Sequence, residues 1–274
     1  MREKLEISIE RDYQIAKANE LIQNAINNYN LTELKAFCYI LSKVKPTDQN
    51  GQKYKFKINE FCEVCGINTN DGRTIQRVKK AIKGLSDKSF WRVCENGDEE
   101  LCRALEWITL KSGKTSFEVE LHKSMAPYVL RLQGRYTQYS LLGVVPMKSA
   151  YSIRLYELLK SYVGLHRKEF EVEDLKRRLQ APYERYPDFR RKAIEIAVRE
   201  INLYTDIEVT WEPIKSGRSV TKIRFEIKKR DSLAIWKAGR NALDQLDGQM
   251  RLNMDGTLTE ERICGKKRQS TKSS

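Results

Sequence analysis

Asp188-Phe-Arg-Arg-Lys-Ala-Ile-Glu-Ile-Ala-Val-Arg-Glu-Ile-Asn-Leu203 is a stretch with two chemically different sides. Ala193, Ile194, Ala197, Val198 and Ile201 recur at helical spacing and form one apolar stripe. Lys192, Glu195 and Arg199 fall on the other side, and Arg190 and Arg191 crowd the start. A cationic start sits badly beside the positive end of a helix dipole. Two things would offset it: phosphates arriving from outside, or a neighbouring carboxylate such as Asp188.

The flanking sequence gives this helix its context. Ser149 to Val163 reads as an amphipathic helix, Phe170-Glu-Val172 as a short strand and Glu173 to Leu179 as a short helix, with the turn Tyr186-Pro187 before the longer one. Thr205–Pro213 and Ser219–Ile227 alternate as two strands around a hairpin tip at Gly217. The same order occurs earlier. Leu31–Val44 is a helix capped by Asn30 or Thr32, Tyr54–Ile58 a short strand, and Asn59–Gly66 a short helix ended by Gly66. After a turn at Asp71-Gly72, Arg73–Ser86 is the longer helix, and Phe90–Leu121 alternates around Asn96-Gly97 and Ser112-Gly113 as a β-ribbon. Helix, strand, short helix, long helix and β-hairpin, twice over, predicts an α+β chain of two tandem winged-helix domains. The expected divisions are 1–132, 133–232 and, where periodicity is lost from Leu233 onward, a weakly ordered basic tail over 233–274.

Composition agrees with a polyanionic partner. The 274 residues hold 51 Lys and Arg against 37 Asp and Glu, a net charge of +14. Such an excess points to nucleic acid or an anionic membrane surface. Neither a lipidation motif nor a long basic amphipathic helix favours a membrane. The longest apolar runs, such as Leu141–Pro146, fall far short of the ~20 residues of a spanning helix. The charged start Met1-Arg-Glu-Lys-Leu-Glu lacks an apolar stretch behind it, so a cytoplasmic location is expected. In that reducing setting the six cysteines read as free thiols. Cys62 and Cys65 form a lone CxxC without a second ligand pair, which fits core packing better than zinc.

The longer helix of each unit is the element suited to the major groove. In the first, Ile75, Val78, Ile82 and Leu85 share one face, and Arg73, Gln76, Lys80 and Lys83 the opposite one, with Arg77 and Lys79 on its flanks. Long cations and one amide suit phosphates and purine edges. In the second, Glu195 is placed either to accept from cytosine N4 or to pair with Arg191 or Arg199, pairing being the expectation. Lys215, Arg218 and Lys222 form the wing. Two other motifs fail. Ser112-Gly113-Lys114-Thr115 ends like a phosphate-binding loop, but Ile108 stands where the first glycine is needed, so a hairpin turn is expected. The tyrosines lack the clustered histidines of a metal-dependent nickase, because His122 and His166 stand apart. No catalytic constellation and no cofactor site emerges.

From Asn19-Glu-Leu-Ile through Phe225-Glu-Ile227 the chain resembles the iteron-binding replication initiators of bacterial plasmids, the Rep3 superfamily. The likeness is carried by Ser149-Ala-Tyr-Ser-Ile-Arg-Leu-Tyr-Glu-Leu-Leu-Lys160, Tyr186-Pro-Asp-Phe-Arg-Arg191, Ala197-Val-Arg-Glu-Ile-Asn202 and Lys215-Ser-Gly-Arg-Ser-Val220 before Ile223-Arg-Phe225. Met125-Ala-Pro-Tyr-Val-Leu130 and Tyr136-Thr-Gln-Tyr-Ser140 fit the link between domains. The resemblance implies binding to directly repeated double-stranded sites at a plasmid origin and nucleation of its opening. It further implies that the second domain dominates sequence reading and that the first doubles as a dimerisation surface. Repression of the chain's own gene by a homodimer at an operator, and host partners such as the initiator and helicase, belong to the same expectation. From other classes, a transcriptional regulator without replication activity and a DNA-nicking enzyme remain as alternatives.

Overall fold

The computed structural model describes residues 14–246, apart from 70, 71, 95 and 133, together with the short strands Arg251–Leu252 and Leu258–Thr259. The turn expected at Asp71, the charged start and the basic stretch 260–274 lie outside the described residues.

Strand β1 (Gln14–Ala18) and helix α1 (Asn19–Asn24) lead into the first winged helix. Its first helix, α2 (Leu31–Leu41), starts at Asn30, whose side chain accepts from the Glu33 backbone N–H while Glu33 accepts from that of Asn30. This reciprocal cap satisfies two N–H groups that a helix start otherwise leaves orphaned. Strand β2 (Lys53–Lys57) follows, then α3 (Ile58–Cys65), stopped by Gly66 in the left-handed region at φ 66°. Next comes the long helix α4 (Thr74–Asp87).

Beyond α4 the expected single ribbon is two separate hairpins. Strands β3 (Phe90–Val93) and β4 (Glu99–Cys102) form a two-stranded sheet, with Arg92 also bridged to Ala25, whereas β5 (Leu105–Leu110) and β6 (Ser116–Leu121) join β2 in a sheet of order β2-β6-β5. The alternation is real in both, but it serves two apolar targets. Phe90 packs edge-on against Tyr29, while Phe117 sits across β2 from Phe56 and against Phe61. Asn96-Gly97 and Ser112-Gly113 do mark the turns; the left-handed residues there are Gly97 and Lys114.

A short helix, α5 (Ala126–Val129), and strand β7 (Tyr136–Ser140) carry the chain across. Strand β7 pairs antiparallel with β1, placing Ile15 opposite Tyr139. The second unit then repeats the first: α6 (Ala150–Lys160), β8 (Arg167–Glu171), α7 (Val172–Leu179) and the long helix. That long helix is α8 (Tyr186–Phe189), a π-helical turn Arg190–Ile194 and α9 (Glu195–Tyr204) in continuous succession. Strands β9 (Ile207–Ser216) and β10 (Ser219–Lys229) form the closing hairpin. Sheet order β8-β10-β9 mirrors β2-β6-β5: in each unit the last strand lies between the other two. Strand β8 begins three residues earlier than the alternation suggested, and α7 starts at Val172.

The expected loss of order from Leu233 is corrected over its first part. Ser232–Leu246 is a helix, α10, whose Ala238 and Ala242 are buried where it meets α9. Asp231 accepts from the Ala234 N–H at its start. Alanines four apart give a weak hydrophobic signal, yet they let two helices approach closely, which is why periodicity alone missed this element. The remainder of the expected tail, beyond residue 246, lies largely outside the described residues.

Candidate nucleic-acid interface

The inward stripe of the second unit is buried as read: Ala193, Ile194, Ala197, Val198 and Ile201 all face the core. Arg190, Arg191, Lys192, Glu195 and Arg199 are exposed together on the outer side. The helix start differs from expectation, and one of the two expected offsets is present. The helix begins at Tyr186, so the arginines occupy its second turn and not its first. Asp188 supplies the offsetting carboxylate, 3.1 Å from Lys192 and 3.5 Å from Arg191. The Lys192 hydrogen bond, with the nearby cations, holds that carboxyl below its ordinary range.

Glu195 pairs, but with Arg190 at 3.1 Å and not with Arg191 or Arg199. The π-turn explains the choice, because it stacks residue i over i+5 where an α-helix would stack i over i+4. Single π-turns inside long helices are frequent at functional sites. Among the described residues, Arg199 is the cation of this face that makes no ion pair.

The helix is fixed at its far end by residues that periodicity did not single out. Arg230 donates to the Asn202 carbonyl at 2.6 Å and the Thr205 carbonyl at 3.2 Å, and Asn241 of α10 donates to the Leu203 carbonyl at 3.2 Å. Those carbonyls have no partner within the helix. Asn202 in turn bridges both the N–H and the carbonyl of Val209 on β9. The exposed cationic face is therefore tied to the strand that leads to the hairpin tip.

At the wing, Lys215 and Arg218 flank Gly217, which takes the left-handed conformation at φ 60°. Lys222 does not belong with them. It lies within β10 at a register shift, 3.0 Å from Glu171 on β8, whose hydrogen bond raises the Lys222 pKa. It stands behind the tip, on the strand, with its charge paired at the surface.

In the first unit Val78, Ile82 and Leu85 are buried and Ile75 is half-buried. Arg73, Gln76, Lys80 and Lys83 are exposed on the outer side of α4. Arg77 is drawn back, donating to the Asn68 carbonyl at 2.8 Å, and Lys83 pairs with Asp87. Gly84 lies on this helix beneath Glu33, whose carboxylate is also 2.5 Å from Lys88.

Some of the positive charge is structural. Lys17 on β1 is buried against Glu157 of α6 at 2.6 Å; burial opposes its charge, yet the carboxylate prevails and its pKa is raised. Arg154 of α6 donates to the carbonyls of Tyr29 and Asn27 at 2.5 and 3.2 Å. Lys35 of α2 donates to the Val145 carbonyl at 2.6 Å, and burial lowers its pKa to about 8. These cations join the two units and are lost to any external ligand.

Cys62 and Cys65 are buried on α3, and burial pushes the Cys62 thiol up to about 11. Among the described residues no group of three or more His, Cys, Asp and Glu could hold a metal ion. No described helix is long and apolar enough to cross a membrane.

A solved structure described as "Crystal structure of Pi initiator protein in complex with iteron DNA" matches with a TM-score of 0.64 at 18% identity, over 81% of this chain and 99% of that one. The likeness to it is one of fold. Two family descriptions match the sequence itself: "Initiator Replication protein, WH1" over residues 14–160, and "Initiator Rep protein, WH2" over residues 171–227. The chain belongs to the Rep3 family of initiator replication proteins.

Proposed function

We propose that the chain initiates plasmid DNA replication by binding repeated double-stranded origin sites through both winged helices. The observation that carries this reading is the matched pair of long helices. Each is apolar beneath, cationic above and set between a short helix and a β-hairpin, the placement of a groove-reading helix. Arg190, Arg191, Lys192, Glu195 and Arg199, with Lys215 and Arg218, form the second-unit contact; Arg73, Gln76, Lys80 and Lys83, with Arg77 at the edge, form the first. The working division is 1–132 for the first DNA-binding and dimerisation domain and 133–232 for the main reader.

Phosphate contacts supply affinity and register, and base contacts supply discrimination. Exposed cations such as Arg199, Lys215 and Arg218 suit the first task, while Gln76 and Glu195 have the donor and acceptor groups for the second. The protein acts by binding and not by catalysis, works in the cytoplasm and recruits host replication proteins to the opened origin. As a homodimer it occupies an operator and represses its own gene. Footprinting on the DNA flanking the gene tests the reading. Protection of a directly repeated array, lost when Arg191 and Arg199 are both changed to Ala, is the expected result. A single protected palindrome with no array would instead assign the chain to transcriptional regulation.

A further inference from the structure

Two exposed apolar faces, one on each winged helix, carry opposite charge. On the hairpin of β3 and β4, Trp91 stands opposite Leu101 and Val93 opposite Glu99, so all four share one face. Trp91 is 57% exposed, Leu101 47% and Val93 45%. Glu99 and, at the turn, Asp98 are exposed beside them. On α10 the buried stripe of Ala238 and Ala242 leaves a second stripe outside, where Leu233, Trp236, Lys237 and Arg240 recur at helical spacing. Leu233 is 62% exposed and Trp236 46%, with the Arg240 guanidinium 5.1 Å from its ring centroid. Exposed aromatic clusters of this kind mark association surfaces, and Trp and Arg dominate their energetics.

We infer that the acidic Trp91 face of one copy docks on the basic Trp236 face of the next. Each face is poorly matched to itself, because two copies of either would set like charges together. Joining unlike patches is heterologous association, which propagates in one direction and does not close as a two-fold dimer does. A run of copies all facing one way is what a directly repeated array demands, so the inference rests on the reading proposed above. Helix α10 lies beyond the family match, which ends at residue 227.

Neighbours on one duplex hold each other at an effective concentration of about 1 mM, so the contact matters only if it forms at that level. Sedimentation velocity of the DNA-free protein, in a series rising to about 1 mM, tests it independently of any site. The average mass should climb past that of a dimer without a plateau. Trp91→Ala and Trp236→Ala should each weaken association roughly tenfold. Mixed in equal amounts they should reach a higher average mass than either alone and then stop climbing, because only one intact junction of this kind can be made. A plateau at the dimer that ignores Trp236→Ala, or a monomer throughout, overturns the inference. Footprinting would be unaffected by that outcome, and a failed footprint would leave the association intact. Unchanged circular dichroism melts guard against misfolded variants.

Discussion

Arg190 and Glu195 form an ion pair at 3.1 Å across five residues, a spacing that an ordinary α-helix keeps apart. The π-turn Arg190–Ile194 makes the contact, and both side chains are about half exposed, so it stabilises the fold by ~0–1 kcal/mol at most. Its consequence is electrostatic. Glu195 partly neutralises a cation at the place where DNA is expected to approach, restraining non-specific attraction. Glu195→Ala should therefore steepen the fall of log K with log salt by about one, while non-specific affinity rises. A titration over a salt series reads both. A loss of about 1–3 kcal/mol for the cognate site alone, with an unchanged slope, would instead make Glu195 a base-reading residue.

Arg199 and Lys222 offer a comparison in which only one cation is available. Arg199 makes no ion pair among the described residues, whereas Lys222 is bound to Glu171. Arg199→Ala should weaken cognate binding by about 1–3 kcal/mol if it reaches a base, or lower the salt slope by about one if it reaches phosphate. Lys222→Ala should leave both within roughly twofold, since its charge is committed to the sheet. Anisotropy titrations on one duplex compare the variants directly. A larger effect at Lys222 would mean that DNA displaces Glu171 and that the wing reaches further down β10.

Much of this architecture could be read along the chain because its signals are local. Gly66 ends α3, Asn30 caps α2, and the stripe from Ala193 to Ile201 gives the buried side of the long helix without reference to any other segment. The parts that could not be read depend on partners distant in sequence. Nothing near Phe90 tells whether it faces Tyr29 or the β2 sheet, so one ribbon was expected where there are two hairpins. Helix α10 packs on α9 and on the turn Leu141–Gly143 and buries Ala238 and Ala242, small residues with little hydrophobic contrast. The net charge could not reveal that Lys17, Lys35 and Arg154 bind buried carboxylate or carbonyl groups, because their acceptors lie far away along the chain.

Gly84, the glycine of α4, leaves no room for a Cβ. A Cβ there would overlap the Glu33 carboxylate, with the Glu33 Cδ at 2.9 Å. Alanine normally favours a helix interior by ~1 kcal/mol over glycine. Here it would displace Glu33 from Lys88 and from the cap at Asn30, leaving a buried carboxylate without its partners. Gly84→Ala should thus cost about 2–4 kcal/mol, seen as a lowered midpoint in urea at constant slope. In a Glu33→Ala background the same change should be neutral or stabilising by up to ~1 kcal/mol, because the obstacle is gone. Equal costs in both backgrounds would show that α4 tolerates no side chain there for another reason.

Lys35 should give stability a distinctive dependence on alkaline pH. Its ammonium is buried between α2 and the Val145 carbonyl, and burial lowers its pKa from 10.5 to about 8 against the opposing pull of Cys65 and Glu200. Below pH 8 both folded and unfolded chains carry the proton, and the folded state bears the full cost of a buried charge. Between pH 8 and 10.5 the unfolded chain binds more protons than the folded one, so this group's contribution to stability rises with pH. At about 1.4 kcal/mol for each pH unit of displacement, the gain is about 3 kcal/mol across that window. Other groups titrate there too, notably thiols that ionise on unfolding, so the informative quantity is the difference between wild type and Lys35→Met. That difference, from urea melts at pH 7 and pH 10, should move by about 2–3 kcal/mol in favour of wild type as pH rises. A constant difference would mean that the Lys35 amine keeps its proton through the whole range, sustained by Glu200, and that the joint between the units holds a charge after all.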